Sequence, residues 1–567
     1  MQNDNDDRLE KRMDEIISSS SKEHEDDKKT QEEKRLPQAE LLVSLVTAEN
    51  CELFHDQFHE PCAHILVKDH WENHKMKSKK FKHWLSRLLW EESSKAANAT
   101  ALQAALAILE GKAIFDGRLH HLYTRVARQG EIFWYDLANE KGQAIKITSD
   151  DWEVVDHPPI LFCRYPHQLP QVVPIQADIK DIKKLENFIN LAKSEYTLLF
   201  QVYLVTCFIP DIPHPIPIVF GSKGSAKSTF AKILSKLIDP SIQGVSGMPT
   251  DQNEIVRQLY HHWFRFFDNI TSFSTSTSDL LCRAVTGDGF SKRALFSDDD
   301  DVIFSFKHCI GLNGINNCAQ KPDLLDRAIL FRLEPIPDDK RRSEDELWEE
   351  FEKIRAVILG SIFAILSKAM RLKREQPKIK NLPRMADFTV WGCAIAQAMD
   401  SSREAFLSMY HANLNEQNEE AIQENPVALA IVYFMDNKIE WENTASELLG
   451  ELNKIADNEK LNAKGNAWPK SAAALTRKIN EVKTNLAQKG ILIDTHKGPH
   501  GKRSLSIRNM PKDIADSATL ELIDRVRSVF GGDVKVKPED IPPHDNTEPP
   551  VPDESSGDSG DIPQQLF

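Results

Sequence analysis

Apolar and polar positions follow two different periods along this chain, and the places where one gives way to the other mark out its elements. The unbroken apolar run Ile216–Phe220 has the length of a strand buried on both faces, and a glycine- and serine-rich turn follows it, then a helical pattern from Lys227. Apolar runs at 263–267, 309–312 and 329–333 predict three more buried strands. Upstream, residues 38–172 alternate helical patterns at 39–47, 79–91 and 100–109 with strand patterns at 65–67, 121–126, 132–136 and 144–147, which predicts an α+β module. In its basic helix Phe81, Trp84, Leu85, Leu88 and Leu89 make the inward face, and the lysines read as the solvated one. A helical lead-in is expected at 180–208, and long apolar-periodic helices at 344–372 and 385–399 suit a lid. Residues 425–508 read as helices at 426–435, 444–456 and 471–488, then strands at 491–495 and 504–507 about a glycine turn, the pattern of a winged helix.

The turn after Phe220 carries the chemistry. Gly221, Ser222, Lys223, Gly224, Ser225, Ala226, Lys227, Ser228 and Thr229 supply what a phosphate-binding loop needs: backbone N–H groups with little side chain in the way, a cation for the β- and γ-phosphates, and a hydroxyl for Mg²⁺. Ala226 stands where the fingerprint has glycine; alanine costs little there unless the position needs positive φ, in which case strain is expected to shift onto Gly224. Asp268 ends an aromatic strand and fits the second Mg²⁺ contact beside Ser228. The next residue, Asn269, can orient water but cannot take its proton, where many motor ATPases have glutamate. Asn313 is expected at a strand end, facing the γ-phosphate or the lytic water. Arg327 suits a finger that reaches a neighbouring subunit's nucleotide, with Arg332 the second candidate and an ion pair to Asp323 or Asp326 the plainer reading.

Residues 286–308 read as a turn, a short strand, an acidic tip and a return strand, with Lys292 and Arg293 projecting from it. With this segment the order of parts resembles the ATPase domain of superfamily 3 and related phage-, plasmid- and poxvirus-type primase-helicases, a branch of the AAA+ ATPases. The resemblance implies that Lys292 and Arg293 lie on a hairpin that enters a ring channel and grips single-stranded DNA. More closely, residues 38–508 are similar to ATP-binding proteins of bacterial mobile elements and genomic islands, through ELFHD, GSAKST, FFDN, CRAVTGDGFSKRALFSDDDDVIF, LNGI, DLLDRAI and LPRMADF. The implied architecture is α/β: an AAA+-type P-loop core at 180–340, an N-terminal α+β accessory domain at 38–172, a helical lid at 341–420 and a C-terminal winged helix at 425–508.

Composition narrows the setting. A net charge of −15 over 567 residues argues against a wholly basic nucleic-acid coat but leaves room for local basic surfaces. Arg477, Lys478, Lys497, Lys502 and Arg503 on the third helix and turn of the winged helix are such a surface and suit DNA phosphates, although winged helices also bind proteins. The eight cysteines include no C-x-x-C pair, and no signal segment or membrane-length apolar run stands out, which predicts a cytoplasmic protein with no membrane partner. The Cys51, His55, His59, Cys62 and His64 cluster follows no zinc-finger spacing. Charged residues 1–36 and acidic, proline-rich residues 538–567 read as disordered tails. The expected function is an ATP- and Mg²⁺-dependent, helicase-like ring, a homo-hexamer acting on single-stranded or forked DNA in replication of a mobile element, with a separate primase or other element-encoded protein as partner. The alternatives are a nucleotide-switched assembly or phage-defence ATPase that binds DNA without unwinding it, and a DNA-binding regulator.

Overall fold

The computed structural model describes residues 36–510 apart from 69, 288–289, 294–300, 305–306, 316, 318–320, 376–378, 380–381, 464, 466–467 and 498–502. Both expected tails therefore lie outside the described residues, Leu36 excepted. The chain divides into two compact units, Met1–Ile431 with Asn453–Pro469, and Val432–Leu452 with Lys470–Phe567.

In the first unit, β1 (Cys51–His55), β2 (Pro61–Val67), β3 (His70–Lys75) and β4 (Arg118–Leu119) form a sheet in the order β3-β2-β1-β4. Helices Lys79–Ser93 and Ala99–Phe115 share a core with it through Phe81, Leu85, Leu89, Leu106 and Leu109. The single strand expected at 121–126 is instead two, β5 (Leu122–Tyr123) and β6 (Val126–Gln129), because Arg125 between them takes a left-handed φ of 61°. With β7 (Ile132–Asp136), β8 (Ala144–Ile147) and β9 (Trp152–Val155), β6 makes an antiparallel meander, while β10 (Leu161–Phe162) pairs with β5. One face of the meander, with Phe133, Tyr135, Ile145, Ile147 and Trp152, joins the main core of the chain, and the other, with Ala127, Trp134 and Ala144, packs with Phe162 in a small core of its own, so residues 38–172 feed three separate cores.

That main core surrounds a five-stranded parallel sheet. Its strands are β11 (Ile216–Phe220), β12 (Val245–Ser246), β13 (Phe264–Phe267), β16 (Cys309–Gly314) and β17 (Ala328–Arg332), in the order β12-β13-β16-β11-β17. Between β13 and β16 come helix Thr275–Thr286 and the antiparallel pair β14 (Phe290–Arg293) and β15 (Asp301–Phe304). The chain's first strand of the sheet lies in its interior, with later strands added on both sides, and the carboxyl ends beside such a strand form the crevice where α/β sheets bind ligands.

Helix Lys227–Ile238, which follows β11, is held at its carboxyl end and along its outer face by partners distant in sequence. At its carboxyl end Gln171 Nε2 donates to Lys236 O (3.1 Å) and Leu237 O (2.9 Å), and Tyr135 Oη donates to Ile238 O (3.1 Å), so orphan helix carbonyls are satisfied. Arg125, fully buried, donates to Asp239 Oδ1 at 2.9 Å, to Pro240 O at 3.1 Å and to Leu169 O at 3.0 Å. The other Asp239 oxygen accepts from the Trp263 N–H at 2.9 Å, so one carboxylate joins the meander, the end of the helix and the entry to β13. On its outer face Lys232 pairs with Glu344 (2.9 Å) and Lys236 with Glu352 (2.8 Å), which seats helix Glu344–Glu375 against it.

Helices Ala386–Ala398 and Arg403–Glu424 complete the unit. Asn413 Oδ1 accepts from Leu330 N at 2.9 Å and its Nδ2 donates to Leu330 O at 2.8 Å; Gln417 Nε2 donates to Ala328 O at 2.7 Å. These buried amides satisfy the backbone of β17 where no further strand does.

In the second unit, β18 (Glu440–Asn443), β19 (Ile491–Lys497) and β20 (Arg503–Asn509) form an antiparallel sheet ordered β18-β20-β19. The two-stranded hairpin expected here thus gains a third strand from the polar segment after helix Pro426–Met435. Helix Ala445–Asn458 starts at a capping box, with Thr444 Oγ1 accepting from Glu447 N at 3.3 Å and Thr444 N donating to Glu447 Oε2 at 3.4 Å. Helix Ala472–Gln488 buries Leu475, Ile479, Val482 and Leu486.

Candidate nucleotide site

The loop between β11 and helix Lys227–Ile238 sits at the carboxyl edge of the sheet. A Cβ at Gly221 would lie 2.4 Å from Leu333 O, so only glycine fits against the chain leaving β17. Ser225, buried, donates from Oγ to Ser222 O at 2.9 Å and closes the turn. Ala226 occupies φ 60°, ψ 31°, so the position does need a left-handed backbone. The strain therefore stays on alanine instead of passing to Gly224 alone, whose φ is 80°. Lys227 Nζ donates to Gly221 O (2.7 Å) and Ser222 O (2.9 Å), arching back over the loop. Partial burial pulls its ammonium pKa down while Asp268 pushes it up, which places the two side chains within electrostatic reach. Ser222, Lys223, Gly224 and Ser228 are exposed on the loop, and Thr229 is half-buried.

Asp268 follows β13, its N–H held by Ser246 O of β12 at 2.8 Å. Asn269 is exposed with φ 58°, a conformation asparagine tolerates and glutamate disfavours, and its N–H donates to Asn313 Oδ1 at 2.7 Å. Asn313, expected at a strand end, is the last residue but one of β16 and is fully buried. Its Nδ2 has no partner among the described residues. A buried amide donor beside the ends of β11 and β13 is the kind of group that awaits an acceptor.

Arg327 is paired in its own chain: Nη1 donates to Asp323 Oδ1 at 2.6 Å and to Asp323 O at 2.8 Å, while the buried Nε has no partner. Arg384, outside the expected set, shares that carboxylate at 2.8 Å and reaches Asp326 Oδ2 at 3.3 Å. No sequence pattern signals this pairing, which depends on how helix Ala386–Ala398 packs. Arg332 ends β17 opposite Phe220.

Of the expected DNA contacts, Lys292 and Arg293 lie on β14, in register with Val302 and Asp301, but their side chains and the acidic tip at 294–300 fall outside the described residues. In the second unit Arg477 is exposed and Lys478 pairs with Glu481 at 2.8 Å. Lys497 and Arg503 face each other in register where the turn closes, their side chains undescribed, and Lys502 falls outside the described residues.

The chain matches a replication protein of mobile elements. Residues 182–420 match the family model described as the Actinomycete integrative conjugative element replication protein, and residues 427–519 match the AICE RepA C-terminal domain. No curated protein matches the sequence. Among solved structures, an apo form of the NrS-1 C-terminal region is similar at 12% identity and a TM-score of 0.40, covering 84% of this chain and 100% of that one. Its A form gives 12% and 0.36 over 83% and 98%. JCV helicase with a bound acetamide compound gives 14% and 0.22 over 42% and 65%. Scores this low do not carry the fold assignment, which stands on the strand order. Among the described residues no helix is long and apolar enough to cross a membrane, and no three His, Cys, Asp or Glu side chains converge as metal ligands.

Proposed function

We propose that this chain is an ATP hydrolase of the AAA+ type that assembles into a ring, a hexamer in the simplest case, and moves along or melts DNA during replication of an integrative element in the bacterial cytoplasm. One observation carries the reading: the Gly221–Thr229 loop, Asp268 and Asn313 leave three neighbouring parallel strands at the same edge of one sheet. The residues present fit a magnesium triphosphate, since Gly221 admits no side chain and the buried Asn313 Nδ2, without a partner among the described residues, is a donor suited to a phosphate oxygen. Loop amides and Lys227 would hold the phosphates, and Ser228 and Asp268 the Mg²⁺, which would neutralise phosphate charge. Asn269 and Asn313 would position water. Arg327, on exchanging Asp323 for phosphate, would reach the nucleotide of an adjoining protomer.

The β14–β15 hairpin would carry Lys292 and Arg293 to the strand, and Arg477, Lys478, Lys497, Lys502 and Arg503 would bind duplex phosphates in a winged-helix manner. The family match supports the replication setting. A second reading, a nucleotide-timed switch that binds DNA without displacing a strand, is favoured by Asn269, which offers no carboxylate base.

Hydrolysis and displacement of one strand from a forked duplex test the two together. Lys227→Ala is expected to abolish hydrolysis. Lys292→Ala with Arg293→Ala is expected to keep hydrolysis and lose displacement, and equal displacement by that double variant refutes the hairpin role. A wild-type protein that hydrolyses ATP on DNA yet frees no strand establishes the switch.

A further inference from the structure

We propose that Arg341 is a phosphate-binding residue of the nucleotide site, supplied by the connection between β17 and helix Glu344–Glu375 of the same chain; the proposal rests on the phosphate-loop reading above. The connection is stitched along the loop: Leu333 N donates to Phe220 O at 2.8 Å and Ile336 N to Gly224 O at 3.2 Å. Five residues past that anchor, Arg341 Nη2 lies 3.3 Å from where a Cβ on Gly224 would stand, so the guanidinium rests against the middle of the loop.

The cations of the run Lys340-Arg341-Arg342 are not equivalent. Arg342 is committed to structure: it pairs with Glu350 at 2.6 Å, donates to Asn187 O, and lies 5.3 Å over the ring of Phe188. Among the described residues Arg341 pairs only with Asp338, at 2.8 Å, and both side chains are open to solvent at 57% and 90% exposure. An exposed pair of this kind contributes about 0–1 kcal/mol and is easily exchanged. A guanidinium has five N–H donors in a fork matched to phosphate oxygens, so a polyphosphate on the loop amides competes readily for it. Asp338 is then a competitor for the same donors.

The test is titration of the full chain with a fluorescent ATP analogue and Mg²⁺, at several KCl concentrations. Arg341→Ala is expected to weaken binding by about tenfold, as for loss of a charge-assisted hydrogen bond, and to flatten the salt dependence. Arg341→Lys restores part of both, and Asp338→Ala tightens binding. The unliganded melting temperature stays at the wild-type value in all three. Wild-type binding with an unchanged Arg341→Ala titration overturns this proposal and leaves the phosphate-loop reading standing. A wild-type chain that binds no nucleotide overturns both.

Discussion

At φ 60° Ala226 sits in a backbone conformation that costs alanine more than glycine. The Gly221–Thr229 loop stands out in the sequence because what phosphate binding would ask of it is local: glycine where a backbone must come close, a lysine and a hydroxyl at the helix entry. What Ala226 does was not legible, since its cost depends on a dihedral angle, and the observed φ of 60° places an alanine where glycine rests freely. Ala226→Gly is therefore expected to raise stability by about 1 kcal/mol, read as a higher midpoint in urea, with nucleotide affinity retained. Asn269 is similar, because its left-handed backbone, which asparagine tolerates better than glutamate, is a dihedral angle that no sequence pattern gives. The pairing of Arg327 with Asp323 is legible as one of the two ion pairs that the sequence offers, whereas the sharing of that carboxylate with Arg384 arises only from packing.

Among elements, strongly apolar strands were read well and polar ones were missed. β11, β13, β16 and β17 lie within a residue or two of expectation because burial on both faces leaves a continuous apolar run. β18 has the sequence EWEN and is mostly exposed, so no period marks it. Helix Arg403–Glu424, most of it inside the expected lid at 341–420, shows no clean apolar stripe because its buried face carries Asn413, Gln417 and Asn418, the first two of which serve the edge of β17. The break between β5 and β6 has the same kind of cause: Arg125 leaves the strand to reach Asp239, 114 residues away in sequence. Replacing Arg125 by Met strands a buried carboxylate, and a loss of about 3–5 kcal/mol is expected in urea unfolding. A loss below about 1 kcal/mol would mean that the pair does not anchor the meander to helix Lys227–Ile238.

For the molecule as a whole, buried imidazoles set the response to acid. Burial pushes His214 and His261 down to about 4 and His262 to about 2, from an ordinary value of 6.5. The unfolded chain then takes up protons first as pH falls, so this stability is fully present above about 6.5 and erodes from there toward 4. Melting temperature is expected to fall by several degrees between pH 7 and pH 5 at constant ionic strength, and a flat profile contradicts the buried neutral histidines. The ladder of amides along β17 has a consequence of its own for assembly. One rim of the central sheet is already occupied by Asn413 and Gln417, and the opposite rim, β12, is two residues long. At this sheet a neighbouring copy finds no backbone seam on which to zip its own strands. The ring proposed above would therefore be joined there by side chains alone, and such joints can open and reclose.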